Sequence, residues 1–75
     1  MIEILITSAW DNEIRISFLI AVHKCKLVTT KSADRKKITK IFIIKGNIRD
    51  IIMLSHAIGK EGININCNKY TITPY

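Results

Sequence analysis

The sequence predicts an α+β domain: a mostly antiparallel sheet of four to five strands with one α-helix, about residues 47–60, packed on one face, in the order β-β-(β)-β-α-β. Three observations lead there. Hydrophobic residues make up 48% of the chain, and isoleucine supplies much of that fraction. Such β-branched side chains are stiff at χ1 and suit a pleated surface. Several short apolar runs, alternating or continuous, are separated by polar breaks, as strands are. One later stretch carries instead the three-and-four spacing of an amphipathic helix.

Residues 2–7 are strongly apolar and read as a strand buried on both faces. The segment Ser8-Ala9-Trp10-Asp11-Asn12-Glu13 breaks the pattern with turn-forming Asp and Asn. From Ile14 the period is two, with Ile14, Ile16, Phe18, Ile20 and Val22 on one parity. This alternation predicts a second strand and a hairpin with the first. A turn or bulge near His23–Lys26 separates it from a shorter strand at 26–30, because one strand from 14 to 30 is too long. After a polar connection, Ser32 to Lys36, the run through Ile41, Phe42, Ile43 and Ile44 marks a central strand. Asn47 with Asp50 three residues on resembles a capping box, and Ile48, Ile51, Ile52, Leu54 and Ile58 form a stripe about 160° wide. Gly59 or Gly62 ends the helix. A last strand follows from Ile63, and its apolar parity shifts between Cys67 and Tyr70, predicting a bulge near Asn66–Lys69. Pro74 fits an edge position. One helix covers one sheet face, so the apolar residues of the other parity imply a second subunit or a partner protein.

At 75 residues the chain is read as one domain, 1–75. A domain this small buries only roughly 60% of its unfolded surface and depends on a very apolar core or a partner. The first residues lack the basic and long apolar regions of a signal peptide, and no run approaches a membrane span. Cys25 and Cys67 lie 42 positions apart and suggest free, partly buried thiols. With His23 and His56 they match no zinc-site spacing, so no metal or other cofactor is expected. A cytoplasmic location without membrane association follows as the expectation. Heavy use of Ile, Lys and Asn fits an AT-rich gene, such as that of a low-GC bacterium, a phage or a mobile element.

Net charge is +6, and it is unevenly placed. Between Lys24 and Lys45 stand eight basic residues and one acid, a net +7, whereas the rest carries four basic and five acidic residues. Lys24, Lys26, Lys31, Arg35, Lys36, Lys37 and Lys40 are therefore the candidate nucleic-acid-binding residues. Against base stacking, the only aromatic in that window is Phe42, which reads as core. The helix offers a second surface: Arg49, His56 and Lys60 at i, i+7 and i+11, with Met53 between them. Trp10 joins this set of candidate partner-binding residues, either as an anchor or as a lid on the core. No catalytic motif is present: serines lack a paired base by motif, acids are scattered, and three glycines form no phosphate-binding loop.

Residues 58–65, Ile-Gly-Lys-Glu-Gly-Ile-Asn-Ile, carry two local resemblances. Gly59-Lys60-Glu61-Gly62 resembles the GXXG loop of KH domains, which clamps a nucleic-acid backbone. A KH loop leads into a second helix, whereas an Asn-rich β-like segment follows here. The same stretch resembles the helix–glycine–strand passage of ACT-type domains. The ACT pattern has a helix between its first two strands, where residues 8–13 are too few to form one.

The sequence thus points to a small non-enzymatic binding module that engages nucleic acid or a nucleoprotein complex through segment 24–45. Two alternatives stand beside it. One is a phage or mobile-element inhibitor that docks on a host protein target such as a defence complex. The other is an ACT-like regulatory homodimer that binds a small ligand.

Overall fold

The structure is a computed structural model that describes residues 1–72, with side chains described through residue 67. Strand β1 (Ile2–Ala9) runs through a 3-10 turn (Trp10–Asn12) into helix α1 (Glu13–Val22). Strand β2 (Lys26–Ser32), strand β3 (Thr39–Gly46), helix α2 (Ile48–Lys60) and strand β4 (Asn66–Ile72) follow. The sheet order is β2-β3-β1-β4, and every neighbouring pair is antiparallel. The class is α+β as expected, with the order βαββαβ.

Residues 13–22 are a helix, not the second strand of a β1 hairpin. The alternation that suggested a strand is real, but Leu19 and Ala21 on the other parity are apolar too. An all-apolar segment satisfies either period. The core uses Ile16, Leu19 and Ile20, which share one side of a helix at i, i+3 and i+4. Topology gives the reason: β1 and β2 both run antiparallel to β3, so they are parallel to each other and need a crossover between them. The hairpin of the fold is β2–β3 instead.

The other elements lie close to their expected positions. A turn at 23–24 separates α1 from β2, with Lys24 in the left-handed region at φ 61°. Strand β3 is central, between β2 and β1. The Asn47 side chain accepts the Asp50 amide at 2.9 Å, as an N-cap does. Gly62, at φ +72°, follows the end of α2. In β4, Cys67 pairs with Ile6 and Lys69 with Leu5, so one extra residue bulges at the predicted place. Residues 73–75, with Pro74, lie outside the described residues.

Both helices pack on the same sheet face. Ile4 and Ile6 of β1 pair with Ile44 and Phe42 of β3, and these four join Ile16, Leu19, Ile20, Ile51, Leu54, Ile58 and Ile63 in one core. Full burial of each such side chain stabilises the fold by about 1.5–3 kcal/mol. The opposite face carries Glu3, Leu5 and Thr7 of β1 beside Lys45, Ile43 and Ile41 of β3, all half-buried.

Candidate functional site

The basic segment is divided by the fold into four places. Lys26 pairs with Lys45 and Lys31 with Ile41, which puts all three lysines on the uncovered sheet face. Lys24 sits in the turn after α1. Arg35, Lys36 and Lys37 are exposed in the β2–β3 loop. That loop is held by Asp34, the only acid of the segment, whose carboxylate accepts the amides of Ile38 at 2.9 Å and Thr39 at 3.2 Å. Ser32 Oγ also donates to the Asp34 carbonyl.

Lys40 does not join the others at the surface. It is 5% exposed and faces the helices. Its Nζ lies 2.6 Å from Glu13 Oε1 and 4.3 Å from the centre of the Trp10 ring. A cation over an indole face is attracted by the ring's quadrupole, more strongly when desolvated. Trp10 is therefore a lid over this end of the core, tied by its amide to the Ile38 carbonyl at 3.0 Å. Its indole N–H is buried with no acceptor among the described residues.

The helix surface is more coherent. Val22, His23 and Lys24 face Arg49, Asp50 and Met53 across one recess of about 290 Å³. His23 and Met53 also line the next, of about 560 Å³, with His56, Ala57 and Lys60. The two shared residues make one groove between α1 and α2. Of the expected partner-binding residues, Arg49, Met53, His56 and Lys60 thus come together, and Trp10 stands apart. Sequence reasoning missed that His23 and Lys24 belong to the same site, because it set their turn after a strand and not after a helix. Lys24, Arg49 and Asp50 line one end and His56 and Lys60 the other, with His23 and Met53 shared and Val22 and Ala57 adding apolar surface. Such a groove suits a small anion with an apolar part, and the Arg49 guanidinium offers a planar fork to carboxylate or phosphate.

Beside the groove, burial and, to a lesser extent, the Asp50 carboxylate raise the Cys25 thiol pKa. Its thiol donates to the His23 carbonyl at 3.7 Å. Cys25 is half-buried, Cys67 exposed, and both are free. Among the described residues no three His, Cys, Asp or Glu side chains cluster as a metal would require, and no helix is long and apolar enough to cross a membrane. A smaller, uncharged recess of about 240 Å³ lies at the end of β1, lined in part by Thr7, Thr39, Asn64 and Asn66. There Ser8 Oγ donates to the Asn64 carbonyl at 2.7 Å and accepts from Asn12 Nδ2 at 3.0 Å.

No family model matches this sequence, and no curated protein matches it. Solved structures do share its fold. One is formyltetrahydrofolate deformylase from Burkholderia mallei, with a TM-score of 0.62 at 12% identity. The match covers 95% of this chain and 27% of that enzyme, so the chain spans about a quarter of its length. At that identity the likeness is one of fold.

Proposed function

We propose that this chain is a non-enzymatic, ACT-like regulatory module that binds a small anionic ligand in the groove between α1 and α2. The observation that carries the reading is that Lys24 and Arg49 meet beside Val22 and Met53, with Lys60 farther along the same groove. The fold supports it too. Helix α1 stands between the first two strands, where the ACT pattern has one, and Gly62-Ile63-Asn64-Ile65 leads from α2 into the last strand. Binding works through charge and shape: the cations attract, the apolar surface selects, and occupancy is read by whatever the module contacts. The test is thermal unfolding in the presence of small carboxylates and phosphates. A ligand that binds only the folded state raises the melting temperature. Arg49→Ala with Lys60→Ala abolishes that rise if the groove is the site. A rise that survives both substitutions contradicts it.

The lysines of the uncovered sheet face favour a second reading, engagement of nucleic acid. Lys26, Lys31 and Lys45 form a patch extended by the exposed loop cations Arg35, Lys36 and Lys37. The central positions of β1 and β3 on that face are Leu5, Ile41 and Ile43, with no aromatic for base stacking, so contacts there would be to phosphates. Binding that falls steeply with salt and with Lys36→Glu plus Lys37→Glu supports this reading. Binding unaffected by both removes it.

A further inference from the structure

Helix α1 has two apolar sides, and the fold covers one of them. Ile16, Leu19 and Ile20 are buried. Ile14, Phe18 and Val22 are 83%, 66% and 54% exposed. Residues spaced i, i+4 and i+8 adjoin on a helix surface, so the three form one stripe. The charges of α1 are both taken up within the chain. Glu13 pairs with Lys40, and Arg15 pairs with Glu61 at 3.5 Å and donates to its carbonyl at 2.9 Å. A helix with apolar residues on two sides ordinarily buries both of them.

We infer that this stripe is a self-association surface, and that its occupant is a second copy of this chain, packed with α1 antiparallel to α1 about a twofold axis at Phe18. Two features select a second copy. First, the stripe is self-complementary: Ile14 of one copy faces Val22 of the other, and Phe18 meets Phe18, as an isologous contact requires. Second, two chains of net charge +6 repel one another, and a stripe flanked by neutralised pairs brings no like charges into contact. The antiparallel arrangement also brings the exposed Asp11, before α1, towards Lys24, after α1 of the other copy. An aromatic at the centre is the residue type that interface cores favour.

This deepens the proposed function, and it rests on that reading only for the link between ligand and pairing. Val22 and His23 wall the groove, so a second copy seated on α1 lies beside the anion site. An anion held at Arg49 lowers the net charge of +6 that each copy carries, and with it the long-range repulsion between copies, so it tightens the pair.

The test is sedimentation equilibrium of the full chain over a concentration series, with circular dichroism as the check on folding. The wild type is expected to dimerise. Phe18→Glu is expected to weaken the dimer at least about a hundredfold, because it buries two like charges at the axis. Val28→Glu, at the exposed bulge of β2, leaves the dissociation constant unchanged. Phe18→Ser replaces the glutamate variant if that one misfolds. A wild type that stays monomeric throughout, or a folded Phe18 variant as dimeric as the wild type, overturns the inference. The ligand reading fails separately: a dimer that no carboxylate or phosphate stabilises keeps the inference and loses the ligand. Ligand binding without Phe18-dependent pairing does the reverse.

Discussion

Helix α2 declares itself in its own residues, and α1 declares almost nothing, although the two lie on the same sheet face and end in the same backbone motif. Helix α2 opens on Asn47, whose side chain caps the Asp50 amide, and buries Ile51, Leu54 and Ile58. Its outward side carries Arg49, Ser55, His56 and Lys60, interleaved with the exposed apolar side chains of Ile48, Ile52 and Met53. Its end is a Schellman turn: Gly62 N–H donates to the Gly59 carbonyl and Ile63 N–H to the Ile58 carbonyl, with Gly62 in the left-handed region. Helix α1 starts from Asn12 with no side-chain cap bond and is apolar on both sides. It ends in the same turn, from Lys24 to the Ala21 carbonyl and Cys25 to the Ile20 carbonyl, but with lysine where α2 has glycine. The difference teaches that a helix lacking a cap, a polar face and a stop glycine is set by topology, and that its spare apolar side needs a further explanation.

The largest expected effect separates the two sides of α1. Ile16→Ala, at a position 0% exposed, is expected to cost about 2–5 kcal/mol in denaturant unfolding. Phe18→Ala, at a concentration where the chain is monomeric, should stay within about 0.5 kcal/mol of the wild type. Equal losses at both positions would break the distinction between a covered and an uncovered side. The two helix ends come next. Gly62→Ala forces a Cβ into a left-handed conformation and should destabilise by about 1–2 kcal/mol, whereas Lys24→Gly relieves the same strain and should stabilise by up to about 1 kcal/mol. Opposite signs in thermal or chemical unfolding are the result to look for. At the start of α2, Asn47→Ala should cost about 1 kcal/mol through loss of the cap. The smallest effect is expected at the bridge between the helices. Arg15 and Glu61 are half-exposed, so Glu61→Gln should shift stability by less than about 1 kcal/mol, and less still at high salt.

The same contrast explains how much was legible. The sheet was read from β3, whose two apolar parities marked a central strand, and from the parity shift that foretold the β4 bulge. The cap, stripe and stop glycine gave α2. Helix α1 was read as a strand because Ile14, Ile16, Phe18, Ile20 and Val22 alternate, and only the crossover between parallel β1 and β2 decides against it. That misreading also hid half of the groove, since His23 and Lys24 reach Arg49 and Met53 only when α1 is a helix. Charge counting gave the basic segment but not its division, because strand register sends Lys31 and Lys45 to the uncovered face and Lys40 into the contact with Glu13 and Trp10.

The most direct test of the outward side of α1 is symmetric cross-linking through Phe18→Cys, in a chain also carrying Cys25→Ser and Cys67→Ser. Antiparallel pairing about Phe18 brings the two new thiols together, and a disulfide forms only when Cα atoms come within about 7 Å. The predicted result is rapid formation of a covalent dimer under mild oxidation at low protein concentration. Ile14→Cys cross-links slowly alone and rapidly when combined with Val22→Cys. Cross-linking at position 18 no faster than that of Ser55→Cys, on the exposed surface of α2, would contradict the account.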